Sequence, residues 1–529
     1  MADLLLAGGF VVDGTGAPGR YADVLVREGT IVDIGNGGQP EGIPVRDVSG
    51  SVVCPGFVDI HTHSDLTLLS NPEAPSKVHQ GVTTEIVGNC GLGVAPLVEG
   101  ADQHSMRQAV SYLDLDPAIE WTWRDTAGYL ATVAAARPSV NVATLVGHLV
   151  LHAGVSGFGD RPATTAQIDH MCSLLGDSLD AGAVGLSTGL VYAPLPYVDD
   201  EELVSLATVT AARDKIFTWH VRNYDDELLS SVGQALDVAR RTGCRTQISH
   251  LTAVGKRNWG SVLRALELVD EARSEGLSIG VDIYPYLYGN APLVQLLPAW
   301  AQEGGPDLVS ARMREEKIRA AIRTEWAHRP TTWDEITISW AAGDEHADAV
   351  GRTVHEIASE RGVAGDDVAL DLLASLGTGV LIVAGGRNED DLRAVLEHPA
   401  TVVASDGLSL DPNGVTGAGV PHPRSYGCFP RYLSRYGGLG PSSLPDAVRR
   451  CTGAPAALVG LFDRGLLRPG AAADIVVFSA ERLSDRATFA DPQMFPEGIE
   501  LVMVNGEIVV DAGRHTGGRP GIVFATENL

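Results

Sequence analysis

GFVDIHTH, residues 56–63, decides how the rest of the chain is read. An apolar run closing on His61-Thr62-His63 reads as a strand. Side chains at i and i+2 of a strand project to one face, so both imidazoles can reach one ion. Neutral imidazole is the commonest metal ligand, whereas two polar rings ending a buried strand must otherwise find hydrogen-bond partners in the core. Satisfied core histidines are therefore the alternative reading, and the remaining sequence bears on it.

Seven further candidate strands follow FVDIHTH: TTEIVGNC, NVATLVGH, AVGLSTGL, IFTWHVRN, TQISHLTA, LSIGVDIYPY and TVVASDGL. Stretches with helical periodicity, such as EELVSLATVTAARDK and SVLRALELVDEARSE, lie between some of them. Eight strand-helix units predict an α/β fold, a TIM (β/α)8 barrel rather than an open doubly wound sheet. The segment from Tyr286 to Thr401 is too long for one crossover and predicts an insertion after barrel strand seven, at roughly 290–395. Short alternating strands occupy the start of the chain, in LLLAGGFVVDGTG, ADVLVREGTIVDIG and PVRDVSGSVVCPG, and return near its end in GLLRPGAAADIVVFS and IELVMVNGEIVVDAG. Such strands cannot bury a sheet face alone, so both termini are expected to build one small β-sandwich domain. The expected organisation is residues 1–55 and 465–529 for the sandwich and 56–464 for the barrel.

At 529 residues and 44% hydrophobic composition, with mean hydropathy +0.06, the chain is long and apolar enough for a large buried core. Its 39 basic and 67 acidic residues give a formal charge of −28, which repels nucleic acid and anionic membrane and leaves a small molecule as the expected partner. No apolar run is long enough to span a bilayer, and MADLLLAGGFVVDG has no basic region ahead of its short apolar stretch, which argues against a signal peptide. Six cysteines without CxxC spacing do not form a disulfide framework and point to the cytoplasm. The sequence carries no signal for an oligomeric state.

If the eight strands close, their ends open on one face, where barrel enzymes keep their active sites. The polar residues there are His61 and His63 on strand one, Cys90 just after strand two, His220 on strand five, His250 on strand six and Asp406 on strand eight. Each is a possible metal ligand or proton shuttle. His220 and His250 are one strand-helix repeat apart, which sets them on adjacent strands. PGFVDIHTHSD, QGVTTEIVGNCG, STGLVYAP, the WH of strand five, the SH of strand six, IYPY, ASDG, HPRSYGCFPR and GLLRPGAAADIVVF run in the order found in the amidohydrolase superfamily. Within it, the chain resembles the N-acyl-D-amino-acid deacylases, or D-aminoacylases. The superfamily likeness rests on HxH, two later histidines and the aspartate, and the narrower one on Cys90 in GNCG and on STGLVYAP.

The resemblance implies zinc-dependent hydrolysis of an N-acyl-D-amino acid to a carboxylate and the free D-amino acid. It implies one tightly held zinc on Cys90, His220 and His250, and a weaker second position on His61, His63 and Cys90 or Asp406. Cys90 then stands where many superfamily members carry a carboxylated lysine. Thiolate is a strong zinc ligand, and three protein ligands leave a coordination position open, as catalysis requires. Zinc lowers the pKa of water to about 7 and polarises a carbonyl. Asp406 would take a proton from that water and return it to the amine, a poor leaving group until protonated. Tyr284 is a candidate hydrogen-bond donor to the developing oxyanion, with simple packing at the barrel mouth as its alternative. Arg424, in HPRSYG shortly after strand eight where a loop could bring it over the pocket, and Tyr192 are candidates for holding the substrate α-carboxylate, which would help to enforce D-stereochemistry. Family members acting on acidic D-amino acids carry a lysine two residues after the strand-six histidine. Leu251 and Thr252 stand here instead, and YLYGNAPL replaces an AGST-like run, so neutral or hydrophobic side chains are expected despite Lys256 and Arg257 nearby. Two other readings are a ring-opening hydrolase of hydantoins or dihydropyrimidines and a non-catalytic binding protein on the same barrel.

Overall fold

Eight short segments pair in parallel: β1 (Phe57–Asp59), β2 (Val82–Val87), β3 (Asn141–Gly147), β4 (Gly185–Gly189), β5 (Ile216–His220), β6 (Arg245–Ile248), β7 (Ile279–Ile283) and β8 (Thr401–Val403). The computed structural model describes residues 3–35, 37, 41–440 and 442–525. Neighbouring strands are sequential, and β7 pairs with β8. Nearly every strand residue is buried, as expected where helices cover one face of a parallel sheet and side chains fill the other.

The seam between β1 and β8 closes just past the strand ends. Asp406 N–H donates to His61 O at 2.8 Å, His63 N–H donates to Gly407 O at 2.9 Å, and Thr62 and Gly407 form a parallel bridge. Below it, Asp59 accepts from the Ser405 backbone N–H at 2.8 Å and hydroxyl at 2.5 Å, and Lys77 Nζ reaches both Asp59 and Ser405 at 2.9 Å. A fully buried ion cluster therefore stands where the strand ladder is thinnest.

Amphipathic helices cover the barrel. The helix Leu228–Thr242 buries Val232, Ala235, Leu236 and Ala239 on one side and stops at Gly243, whose φ of 69° is the left-handed conformation a helix C-terminus favours. The helix Asp200–Ala211 starts from Asp199, whose carboxylate caps Glu202 N–H, and carries three acids in its first turn, complementing the helix dipole.

Strands from both ends of the chain share one nine-stranded sheet, joined where Val52–Pro55 pairs antiparallel with Ile475–Phe478. Thr30 at one side bridges Ala472, so the sheet curls around a core of Leu6, Val11, Val24, Ile31, Val53, Ile475, Leu501 and Met503. Between β7 and β8 lies the expected insertion. Its strands Gly289–Pro292, Ile336–Ala341 and Val380–Ala384 form a separate antiparallel sheet with its own core, including Trp326, Trp333, Ile338, Leu370 and Leu373. The chain returns to β8 through the helix Glu389–Glu397.

Candidate metal centre

The regular part of β1 stops at Asp59, yet its neighbours hold the chain extended through the HxH segment. Thr62 N–H donates to Ile86 O at 3.1 Å on one side and His63 N–H to Gly407 O on the other. The His61 and His63 rings lie 5.4 Å apart. Cys90 follows β2 in a tight turn, His250 follows β6 and Asp406 follows β8, with φ of 56°, 35° and 50°. Positive φ costs a residue with a Cβ about 1–3 kcal/mol and persists where the surroundings impose it. Its occurrence at three of these six positions concentrates strain on the open end of the barrel.

Two overlapping donor groups result. His61, His63, Cys90 and Asp406 present ligand atoms within 4.8 Å of one another, and so do Cys90, His220 and His250. Cys90 Sγ is common to both, 3.2 Å from His61 Nε2 and 3.4 Å from His250 Nε2. Asp406 Oδ1 lies 3.0 Å from His63 Nε2 and 3.5 Å from His61 Nε2. All six residues are buried. Both ring nitrogens of His220 are buried without a partner. Leaving such atoms dry and unpaired costs on the order of 1–3 kcal/mol each, and a soft thiolate with imidazoles is a donor set suited to zinc.

Electrostatics agrees with that arrangement. Burial drops His220 to about 3, and burial with the neighbouring His220 drops His250 well below its ordinary value, so both rings are neutral and able to ligate. Burial also lowers His63 to about 4 against the pull of Asp406. His61 behaves oppositely: burial works against its charge, but Cys90, Asp282 and Asp406 raise it well above the ordinary histidine range. Burial pushes the Cys90 thiol up to about 11. Asp406 is opposed by burial, yet Arg424 and His61 hold it well below the usual carboxylate range, so it is ionised.

Behind these groups stands Asp282 of β7, which the sequence reading did not single out. Its Oδ1 lies 3.2 Å from His61 Nδ1 and accepts His250 N–H at 2.8 Å, while Oδ2 accepts from Gln247 at 3.2 Å. One carboxylate thus orients two candidate ligands, as outer-shell acids do for metal-binding histidines. A lone acid inside the apolar run LSIGVDIYPY was the available signal.

A cavity of about 660 Å³ opens above the cluster, lined by His63, Cys90, Tyr192, His220, His250, Tyr284 and Asp406 among others. The Tyr192 ring lies 5.2 Å from that of His220. Tyr284 is 1% exposed, its ring centre 4.5 Å from the guanidinium carbon of Arg424 and 5.0 Å from that of Arg387. Arg424 does not reach over the cavity from a loop. It begins the helix Arg424–Arg431, is 1% exposed, and donates to Asp406 Oδ2 at 2.7 Å and to the Tyr112 hydroxyl at 3.1 Å. Tyr112 and Arg387 are further cavity residues without a motif to announce them.

The remaining histidines of interest are held by ordinary bonds. His79 bonds Pro75 O at 2.7 Å, and His422 bonds Tyr288 O at 2.9 Å. His148 and His152 share Glu202 Oε1 at 2.7 and 2.8 Å, a buried polar cluster.

Comparison with known proteins gives the same picture. The chain is 35% identical to an N-acyl-D-aspartate deacylase of Alcaligenes xylosoxydans xylosoxydans over 99% of its length and 95% of that protein. It is 36% identical to an N-acyl-D-glutamate deacylase of the same organism, covering 95% and 93%. The crystal structure of N-acyl-D-glutamate deacylase from Bordetella bronchiseptica, complexed with zinc and a phosphonate mimic of the tetrahedral intermediate, matches with a TM-score of 0.83 at 34% identity over 99% of both chains. A family model described as the amidohydrolase family matches residues 44–510, and on these grounds the chain belongs to the amidohydrolase family.

Proposed function

We propose that this chain hydrolyses the amide bond of N-acyl-D-amino acids, releasing a carboxylate and the free D-amino acid. Cys90, His220 and His250 would hold one zinc tightly, and His61, His63 and Asp406 would form a weaker second position sharing Cys90. The observation that carries the reading is the shared thiol, one sulfur within reach of two separate sets of buried donors. Zinc, when bound, supplies acidified water and a polarised carbonyl.

The chain's own residues do the rest. Asp406, ionised and fixed through Oδ2 by Arg424, keeps Oδ1 toward the histidines, where it can accept a proton and hand it to the departing amine. Tyr284 offers its hydroxyl at the cavity wall for the developing oxyanion. Tyr192 lines the cavity and is suited to the α-carboxylate, and Arg424, behind the wall with its Nε unpartnered, would be the second donor. No helix among the described residues is long and apolar enough to cross a membrane. An acidic surface argues for a small-molecule substrate and against nucleic acid, and six unpaired cysteines suit the reducing cytoplasm.

The test combines metal analysis with a panel of N-acetyl-D- and N-acetyl-L-amino acids, with hydantoin and dihydropyrimidine ring opening as controls. Near one tightly bound zinc per chain and turnover of D-enantiomers with little of L is the expected result. Equal rates on both enantiomers, or full activity after complete metal removal, would overturn it.

A further inference from the structure

Five arginines stand in or directly behind the cavity wall; three are paired with a carboxylate and a fourth is held by amide and backbone oxygens. Arg257 makes a two-pronged pair with Asp226 at 2.7 and 2.8 Å, and Arg329 pairs with Asp366 at 3.3 Å. Arg222 is spent on Gln234 and the carbonyls of Pro196 and Val198. Arg424 holds Asp406. Arg387 differs. It has no carboxylate partner among the described residues; Nη1 donates to the Tyr284 hydroxyl at 2.5 Å and more distantly to Tyr288 O at 3.5 Å, and its Nε is buried without a partner.

Its placement is built into the backbone. The strand Val380–Ala384 delivers the chain to Gly385-Gly386-Arg387 before the helix Glu389–Glu397 begins. Gly386 has φ of 93°, and a Cβ there would meet Thr331 at 2.8 Å and Gly255 N at 3.3 Å. Gly386 O accepts Gly255 N–H at 2.8 Å and Trp259 Nε1 at 3.0 Å, which fastens this turn to the loop following β6. That loop carries Thr252, also in the cavity wall. The guanidinium is thus fixed in the cavity wall, with donors left over. A planar cation with spare N–H groups, near aromatic rings and away from any acid of its own, is a receptor for a carboxylate.

We propose that Arg387 binds a second carboxylate of the substrate, on the amino-acid side chain, and that the favoured substrates are N-acyl-D-amino acids with acidic side chains. This rests on the deacylase reading and reverses the expectation of neutral side chains drawn from Leu251 and Thr252. The cation missing two residues after His250, where Thr252 stands, comes instead from the turn that ends the insertion, to which the β6 loop is bonded; Arg257 of that loop is taken up by Asp226.

The experiment measures kcat/KM of the zinc-loaded enzyme and its variants on N-acetyl-D-glutamate, -D-glutamine, -D-leucine and -D-lysine. The wild type should favour glutamate over glutamine by about 10- to 100-fold, the scale of a charge-assisted hydrogen bond. Arg387→Gln should collapse that ratio to near unity, Arg387→Lys should keep part of it, and Arg387→Glu should raise lysine relative to glutamate. A wild type that prefers glutamine or leucine overturns the inference. So does an Arg387→Gln variant slowed by one common factor on every substrate, which would mark Arg387 as a support for Tyr284. Failure of the wild type on the whole panel would instead strike the deacylase reading beneath it.

Discussion

A thiol buried as deeply as Cys90 is a poor ligand until something draws off its proton, and here only His61 presses in that direction against burial. Its folded value of about 11 means that an incoming metal must displace one proton at any pH below that. His220 and His250 are already neutral near pH 7 and release none. The sign follows: deprotonation favours binding, so affinity of the tight position rises with pH, about tenfold per unit while a single proton is displaced. Competition with a chelator at pH 7 and pH 8 reads that slope, and an affinity independent of pH would show that Cys90 is not a ligand. The motif reading singled out Cys90, His220, His250, His61, His63 and Asp406, which the fold gathers into two donor groups, because each ends a recognisable strand. It missed Asp282, whose role exists only once β1, β6 and β7 stand side by side, and Arg387, which no spacing connects to the site.

At the level of elements, the eight strands were legible because parallel strands buried on both faces are apolar runs, and the turn residues after each carry the chemistry. The nine-stranded sheet was legible as a pairing of the two termini, but its curl onto Thr30 and Ala472 was not, since it depends on tertiary packing. The position of Arg424 was misjudged for a similar reason. HPRSYG reads as loop, but the chain turns helical at Arg424 and folds the guanidinium inward onto Asp406. The buried seam is the other hidden feature. Lys77 is 0% exposed, 2.9 Å from Asp59 and 3.6 Å from Glu85; burial works against its charge, but the two carboxylates raise it above its ordinary value. Removing one member of such a cluster strands the others, so Lys77→Met should destabilise the fold by about 3–5 kcal/mol. A urea melt checks this, and a midpoint unchanged from wild type would mean that the strand ladder closes the barrel unaided.

On the scale of the whole molecule, the donor set ties together strand ends that are remote in sequence: β1, β2, β5, β6 and β8 each contribute at least one member. An ion bound only by the folded state stabilises it through mass action, about 4 kcal/mol at a thousandfold excess over its dissociation constant. That energy falls on the barrel. The insertion has a separate apolar core, and the sheet shared by the two termini has another. Stripping the zinc should therefore lower the barrel's melting point and speed amide exchange in β5 and β6, while strands Ile336–Ala341 and Val380–Ala384 exchange at nearly their former rate. Hydrogen exchange on chelated and zinc-restored protein separates the two regions. Equal loss of protection in barrel and insertion would show one cooperative unit, in which the turn bearing Arg387 loosens with the metal site; unequal loss would leave that turn anchored by the insertion whether or not the ion is bound.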